Sequence, residues 1–377
     1  MEYVSLSDIA FYKQGKQISI DKQSLTCEHG MVRFVRIIDF TNPNEPSRYI
    51  ENPGEQYMVG EKDIVMIRYG SQTAGTVVRG IPGVIANNMF QICIKNSGFD
   101  INYMYYYLAS PFIKQMLMGG QSSSTMPAIT FGMLKQVQVP VRPIEEQRKI
   151  AAFLERIDKK IEINVNINDN LQQQIQAIYQ KWFSASEQIN ERGILANICD
   201  YSRDRIALSG LSLSSYYSTE NMLPGKGGAI NVSCLPTIAQ TTKGKAGDVL
   251  VSNIRPYFKK IVYCHSECGC STDVLCFTPK KPELSAYLYS TLYADCFFDF
   301  MVAGSKGTKM PRGDKRQIMT YPVIIPSNDK LRIFNAIAIP ILSHIEGNRV
   351  ENVRLSLLRD TLLPKLMSGE IDVSNIQ

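Results

Sequence analysis

Residues 150–182 read IAAFLERIDKKIEINVNINDNLQQQIQAIYQKW, and residues 334–366 read FNAIAIPILSHIEGNRVENVRLSLLRDTLLPKL. In both stretches, one set of positions recurs at steps that alternate between four and three residues, and most of these positions are apolar. The second ladder begins 184 positions after the first, at Phe334 in place of Ile150. Steps of four and three are typical of a coiled-coil seam, so the sequence predicts two long helices of the same design.

The repeat continues upstream of both helices at nearly the same offset. Three pairs of segments carry it: Lys62 to Met66 with Gly247 to Val251, Ser124 to Pro127 with Thr308 to Pro311, and Pro143 with Pro326. The chain of 377 residues is therefore predicted to be two copies of one unit, each a globular half followed by a long helix.

Each globular half alternates short β-like runs with turns rich in Gly, Pro and Asn, and then has one helical stretch. The predicted strands are 32–38, 63–68, 83–85, 90–94, 137–141, 248–251, 261–264 and 274–277, and the predicted helical stretches are 101–118 and 286–300. The predicted fold class is α/β (α+β), with two globular domains of twisted, mostly β cores joined by two long antiparallel coiled-coil helices in pseudo-two-fold symmetry. The predicted boundaries are 1–142, 143–186, 187–325, 326–369 and a tail at 370–377.

An antiparallel pairing of the two helices would bring the two Asn pairs opposite each other. Buried Asn layers lower stability but fix the register of a helix pair. The alternative is that the Asn residues are solvated and Ile163, Val165 and Ile167 make the contact. The predicted pairing residues are Ile150, Leu154, Ile161, Asn164, Asn168, Leu171, Trp182, Ile345, Asn348, Asn352, Leu355, Leu362 and Leu366.

Composition is that of an ordinary globular protein, with 44% apolar residues, 20% charged residues and a formal net charge of +6. The sequence shows no secretory signal and no run of about 18 apolar residues, so we expect a cytoplasmic protein outside the membrane. The nine cysteines are expected to be reduced thiols. The cluster at 264–270 lacks paired C-x2-C spacing, so no metal site is predicted.

Motifs for catalysis are missing from the sequence. It has no G-x-x-x-x-G-K-[ST] phosphate loop and no G-x-G-x-x-G after a strand. The segment Asn253 to Tyr257 only approximates the N-P-P-Y loop of an amino-methyltransferase, because Arg255 stands where a proline is needed. We therefore predict a non-catalytic chain that binds no cofactor of its own.

Polar and basic residues concentrate in loops of both globular halves. Arg, Asn, Gln and Ser are the residue types that reach base edges in DNA, while Lys holds phosphates. For each residue alone, a solvated loop position is the simpler interpretation. The candidate DNA-binding residues are Arg68, Tyr69, Ser71, Gln72, Asn87, Ser122, Ser123, Asn253, Arg255, Tyr257, Lys259, Lys260, Lys306, Lys309 and Arg312.

Three segments, 143–151, 247–257 and 358–371, resemble the specificity subunit of type I restriction-modification systems. The last contains the run Leu-Leu-Pro-Lys-Leu-Met-Ser-Gly, and the resemblance extends over essentially the whole chain. The first copy departs from it, with Tyr179 to Phe183 where the second copy has Leu363 to Met367.

The resemblance implies two target recognition domains, each reading half of a split site in double-stranded DNA, with the helices setting the spacer. It also implies partners that supply the chemistry. These are modification subunits, two in number, that use S-adenosylmethionine, and restriction subunits that use ATP and Mg. Two alternatives stay open: a coiled-coil scaffold that does not bind DNA, and a self-contained DNA-modifying enzyme.

Overall fold

The computed structural model describes residues 2–42, 45–70, 73–119, 127–183 and 191–372. By contacts, the chain divides into two units. The first unit comprises Met1–Glu162 and Glu351–Gln377, and the second comprises Ile163–Val350. Each unit therefore contains one globular part and a segment of both long helices. Among the helices of the described ranges, none combines the length and apolar character of a membrane span.

The first unit contains ten strands within its described residues. They are β1 (Tyr3–Ser5), β2 (Ala10–Gln14), β3 (Met31–Val35), β4 (Arg48–Glu51), β5 (Met58–Val59), β6 (Ile64–Ile67), β7 (Val77–Arg79), β8 (Gly83–Ile85), β9 (Met89–Ile94) and β10 (Gln138–Pro140). They form a β1-β10 pair, a sheet in the order β2-β9-β6-β7 and a sheet in the order β4-β3-β8-β5.

The second unit also contains ten strands in its described part. They are β11 (Glu191–Ile194), β12 (Cys199–Tyr201), β13 (Arg205–Ala207), β14 (Tyr216–Tyr217), β15 (Gln240–Gly244), β16 (Val249–Ser252), β17 (Ile261–Tyr263), β18 (Cys268–Cys270), β19 (Val274–Pro279) and β20 (Pro322–Ile325). They form a β11-β20 pair, a sheet in the order β12-β19-β16-β17 and a sheet in the order β13-β15-β18-β14. The β12-β19-β16-β17 order repeats β2-β9-β6-β7 strand for strand.

Four of the α-helices repeat at one fixed offset. Those of the first copy are α1 (Leu6–Ile9), α2 (Ile38–Thr41), α3 (Ile101–Ala109), α4 (Pro111–Gly119), α5 (Phe131–Leu134) and α6 (Ile144–Trp182). Those of the second are α7 (Ser285–Tyr293), α8 (Asp295–Ala303), α9 (Lys315–Ile318) and α10 (Asn328–Ser368). Helices α7 to α10 begin 184 residues after α3 to α6, so the repeat seen in the sequence is a structural repeat. Short 3-10 helices occur at Ile20–Lys22, Glu55–Tyr57, Leu195–Asn197, Leu208–Gly210, Pro256–Phe258 and Pro282–Leu284.

The predicted α/β class with two long helices is confirmed, and each of the eight predicted strand runs overlaps a strand. The prediction of one continuous helix in each of the two shorter helical stretches was wrong, because each stretch forms a pair of helices. Ser110 is extended (φ −63°, ψ 145°) where Pro111 begins α4, and a residue before proline avoids the helical region. Ala294 has the same geometry (φ −63°, ψ 142°) between α7 and α8. The domain boundaries stay a prediction.

The long helices contribute to the core of each unit. In the first unit, Ile150 and Leu154 of α6 are fully buried in one cluster with Leu363, Leu366 and Met367 of α10. In the second, Ile175 of α6 is buried in a cluster with Phe334, Ala338, Leu342 and Ile345 of α10. Full burial stabilises by about 1.5–3 kcal/mol per large apolar side chain, so the helix segments are integral parts of both cores.

The helices run antiparallel within each unit, as their contacts show. In the first unit, Arg359 Nη1 of α10 lies 2.7 Å from Asp158 Oδ1 of α6, and Asn352 Nδ2 donates to the carbonyl of Ile161 at 3.4 Å. In the second unit, Asn348 Nδ2 donates to Asn168 Oδ1 at 2.8 Å, and the ring centroids of Phe334 and Tyr179 lie 6.4 Å apart. Residue numbers therefore rise along one helix as they fall along the other.

Candidate nucleic-acid interface

A loop of the second unit, which we call the second arginine loop (Asn253–Lys260), follows the buried strand β16. It is anchored to the segment Pro311–Gly313 by two backbone hydrogen bonds. Arg255 N donates to the Pro311 carbonyl at 2.7 Å, and Gly313 N donates to the Asn253 carbonyl at 3.2 Å. Ile254 and Arg312 form an antiparallel bridge between them.

The first unit repeats this frame in the first arginine loop (Arg68–Gly70), which follows β6. Gly70 N donates to the Pro127 carbonyl at 3.3 Å, and Ile129 N donates to the Arg68 carbonyl at 2.9 Å. Tyr69 and Ala128 form the corresponding antiparallel bridge. The same backbone frame therefore presents different side chains in the two units.

Backbone strain is concentrated in the second arginine loop and its surroundings. Three non-glycine residues of the described chain have positive φ: Arg255 and Lys259 at 50°, and Lys226 at 64°. Left-handed geometry costs roughly 1–2 kcal/mol for an L-residue with a Cβ. Such strain collects at functional sites, and all three residues here are basic. Lys226 lies against the second arginine loop, because its N–H donates to the Lys259 carbonyl at 2.8 Å.

The guanidinium of Arg255 is held on one side only. Its Nη2 donates weakly to the Lys309 carbonyl at 3.5 Å, while its Nε is buried with no hydrogen-bond partner. A guanidinium has five N–H donors in a fixed fork, which suits bidentate recognition of a guanine edge or a phosphate. The Arg255 side chain therefore keeps donor capacity that its own protein does not use.

Other basic side chains of the second unit form ion pairs with Asp side chains. Lys226 Nζ and Lys259 Nζ lie 2.9 and 2.6 Å from the same oxygen, Asp295 Oδ1. The hydrogen bonds from Lys259 and then Lys226 lower the pKa of Asp295. Lys306 pairs with Asp314 at 2.9 Å and, with two backbone N–H donors, lowers the Asp314 pKa to about 2.

The exposed pairs are weak and exchangeable. Arg312 Nη2 lies 3.0 Å from Asp273 Oδ1, with side chains 58% and 37% exposed. Exposed ion pairs of this kind contribute roughly 0–1 kcal/mol, so an incoming phosphate can take over such a cation at little cost. Two aromatic rings, Tyr257 and Phe258, lie beside this basic surface, 49% and 39% exposed, with centroids 4.7 Å apart.

Two candidates of the second arginine loop are turned inward. The Asn253 side chain is only 7% exposed, and its Oδ1 is buried without a hydrogen-bond partner, so its role in DNA binding stays a prediction. Lys260 Nζ donates to the Thr219 carbonyl at 2.6 Å, and burial lowers the Lys260 pKa. Lys309 is exposed, and its carbonyl accepts the bond from Arg255 described above.

In the first unit, a residue that sequence reasoning missed connects two predicted ones. Arg68 Nη1 donates to Gln14 Oε1 at 3.3 Å, and Gln14 Nε2 donates to the Asn87 carbonyl. The Arg68 guanidinium also lies over the Tyr69 ring, 5.1 Å from its centroid. Nothing in the local sequence singles out Gln14, which ends β2 and meets β6 only through the tertiary fold. The predicted Ser71, Gln72, Ser122 and Ser123 lie outside the described residues.

The seam between the two long helices contains Asn residues, whereas the three apolar residues considered as the alternative contact are exposed. Asn164 is 1% exposed, whereas Ile163, Val165 and Ile167 are 44%, 46% and 37% exposed. Asn168 also donates to the Ile345 carbonyl at 3.1 Å. The remaining predicted pairing residues lie buried or half-buried: Ile150, Leu154, Ile161, Leu171, Trp182, Ile345, Asn348, Asn352, Leu355, Leu362 and Leu366.

The cysteine cluster is an apolar core feature. Cys264, Cys268, Cys270 and Cys276 are all buried in one cluster with Leu250 and Val262. The hydrogen bond between the Cys264 and Cys268 thiols, and then burial, raises the pKa of the Cys264 thiol, which favours an inert protonated group. No group of three or more His, Cys, Asp or Glu residues in the described ranges is arranged to hold a metal ion.

Comparisons with known proteins agree on one family. Residues 1–173 match the family model described as type I restriction modification DNA specificity domain. The type I restriction enzyme MjaIX specificity subunit of Methanocaldococcus jannaschii is 22% identical over 320 residues, which covers 77% of this chain and 73% of that protein. The MjaVIII specificity subunit of the same organism is 24% identical over 163 residues, 42% of this chain and 36% of that protein, so the match spans little more than a third of its length.

A solved structure shows the same fold. The crystal structure of the type I restriction-modification system S subunit from M. genitalium aligns with a TM-score of 0.54 and 16% identity, covering 97% of this chain and 95% of that one. This likeness supports the two-copy fold of the whole chain, while the match to the DNA specificity domain model covers its first 173 residues. The chain is therefore similar to type I restriction-modification specificity subunits, in sequence over its first 173 residues and in fold over nearly its whole length.

Proposed function

We propose that this chain is the non-catalytic, DNA-reading subunit of a type I restriction-modification enzyme, and that its two units read the two parts of a split site in double-stranded DNA. One observation carries the proposal: the backbone frame of the arginine loop occurs in both units, while its side chains differ. A shared frame with different side chains is what reading two unlike sequences requires, because base edges are distinguished by side-chain donors and acceptors.

The chemistry is assigned to partner subunits. Two modification subunits would transfer the methyl group from S-adenosylmethionine, and restriction subunits would use ATP and Mg to move along and cut DNA. The absence of phosphate-loop and methyltransferase motifs in the sequence supports this division. The chain would act in the cytoplasm, where the DNA and these partners are. The long helices would set the spacing between the two parts of the site.

A domain exchange tests the proposal. Residues 187–325 are replaced by the matching segment of a relative with another target, and the hybrid is produced with the modification subunits. Mapping methylated bases in the host genome should show one part of the site changed and the other retained. If both parts change, or if neither does, the two units do not read independently.

A second measurement separates the alternatives. The purified chain alone should transfer no methyl group to DNA, since a self-contained enzyme would do so without partners. With modification subunits present, the chain should retain oligonucleotides of one split sequence from a random pool. A scaffold that does not bind DNA would retain none.

A further inference from the structure

A polar cavity of about 290 Å³ lies in the first unit beside the first arginine loop. Lys16, Gln17, Gln23, Arg36, Arg48 and Asn87 contribute its polar lining. Phe34 and Ile18 provide apolar wall. Three of the six polar residues are cations and none is a carboxylate, so the cavity is suited to an anion.

The three cations differ in how fully the protein satisfies them. Arg36 is occupied, because its Nε lies 3.1 Å from Asp39 Oδ2 and its Nη1 lies 3.2 Å from Glu45 Oε1. In the described part of the chain, Lys16 and Arg48 have no carboxylate within ion-pair distance. Lys16 Nζ lies over the Tyr57 ring, 3.9 Å from its centroid, which positions the ammonium without neutralising it.

Arg48 provides a second, independent sign of a ligand. Its Nε is buried and has no hydrogen-bond partner, although buried donors in folded proteins are nearly always paired. The residue lies in β4, paired with Phe34 of β3, so its stem is fixed by the sheet. A fixed guanidinium with an unpaired N–H, next to an ammonium, matches the geometry by which proteins bind phosphate groups.

The cavity is connected to the first arginine loop by hydrogen bonds. Asn87 Nδ2 donates to Gln17 Oε1 at 3.3 Å, and the Asn87 carbonyl accepts from Gln14. Gln14 in turn accepts from Arg68. Asn87 and Gln14 therefore link an anion in the cavity to Arg68, in the loop that we assign to base reading.

We propose that this cavity seats one phosphate of the DNA backbone, held by Lys16 and Arg48, and so fixes the position of the first arginine loop on the duplex. The inference rests on the proposed DNA-reading function and adds to it a phosphate-binding site outside the arginine loops. The link from Asn87 through Gln14 to Arg68 favours a backbone phosphate over a free one, because it joins the cavity to the candidate base-reading side chain.

The test uses the full chain in complex with its modification subunits. Lys16→Gln should lower the slope of log affinity against log salt by about one unit, to a similar extent on cognate and random DNA, because a lost phosphate contact releases fewer counterions. The matched control is Lys13→Gln, an exposed lysine of β2 that does not line the cavity and should leave the slope unchanged.

A backbone scan identifies the phosphate itself. Neutral methylphosphonates are placed one at a time across the first part of the site. At one position the substitution should weaken binding of the wild-type complex by about tenfold, as expected for one charge-assisted contact, yet have no further effect on Lys16→Gln. Arg48→Gln should abolish the effect at the same position, and Arg48→Lys, which keeps the charge, should retain part of it.

Three results would overturn the inference. An unchanged salt slope in Lys16→Gln, with every methylphosphonate effect retained, would show that no DNA phosphate enters the cavity. Inorganic phosphate that raises the melting temperature of the wild-type chain but not of Lys16→Gln, with DNA binding unchanged, would show a free-phosphate site instead. If the wild-type complex binds no DNA at all, the proposed function fails together with the inference that rests on it.

Discussion

Gly70 and Arg255 occupy the same place in the two arginine loops. The N–H of each donates to the carbonyl of a proline, Pro127 or Pro311, and these prolines are 184 residues apart. Both residues also have positive φ, 123° for Gly70 and 50° for Arg255. Glycine adopts this geometry without strain, whereas arginine does not. The second unit therefore retains a strained side chain where the first has none, which indicates a functional reason for Arg255.

Arg255→Gly should separate stability from recognition. Removing the left-handed side chain should raise the free energy of unfolding by up to about 1 kcal/mol, after the entropy cost of a glycine is subtracted. The same change should weaken binding to the cognate site by on the order of 1–3 kcal/mol and relax one base position. Denaturant unfolding and binding assays on cognate and random DNA measure the two effects.

Lys259→Gly is the matched control, because Lys259 has the same φ of 50° and pairs with Asp295. It should relieve similar strain, yet weaken all DNA sequences alike and lower the salt slope by about one unit. Equal losses on cognate and random DNA from the Arg255 variant would count against base reading.

Gln14→Leu should disturb only the first part of the DNA site. The change removes the acceptor of the Arg68 guanidinium and the donor to the Asn87 carbonyl, so Arg68 loses its fixed position. Site preference should relax in one half and persist in the other, as read from methylation patterns. Lys13→Leu, one residue earlier and exposed, serves as control. Relaxation of both halves would be inconsistent with this arrangement.

The Asn168 and Asn348 pair should be coupled energetically. Asn168→Ala leaves the Asn348 amide without its acceptor in the seam, so we expect a loss of about 1–2 kcal/mol in the free energy of unfolding. The exposed Asn170→Ala, on the same helix, should change stability by less than about 0.5 kcal/mol. Additive effects in a double-mutant cycle of Asn168 and Asn348 would show that the hydrogen bond contributes nothing.

His265 should make the second unit sensitive to mild acid. Burial, and then the nearby charge of Arg349, lowers its pKa from an ordinary value of 6.5 to about 4. Between these values the unfolded chain binds a proton that the folded chain does not, so stability falls as pH decreases from about 6.5 to about 4. Below about pH 4 both states are protonated and this contribution levels off.

Unfolding measured across that window should show a flatter pH dependence in His265→Phe than in the wild type. The exposed His29→Phe is the control and should leave the curve unchanged. An identical slope in the wild type and His265→Phe would mean that the imidazole is solvated in the folded state.

The sequence by itself determined the repeat, the two long helices and the resemblance to specificity subunits, because these depend on spacing and motifs that can be recognised without knowledge of contacts. Steps of four and three predict a helical seam wherever they occur, and a fixed offset of 184 residues relates two copies whatever their fold. It also indicated both arginine loops, since Arg68 and Arg255 each follow a strongly apolar strand.

Only the tertiary structure decided what those residues do in space. Asn253 looks like a base reader in the sequence but is buried, whereas Gln14 and Lys16 looked unremarkable and lie beside the first arginine loop. The left-handed φ of Arg255 has no local signature, because glycine is the usual mark of that geometry. These properties depend on contacts between residues that are about 50 or more positions apart in the sequence. The residue pattern of a single segment therefore cannot predict them.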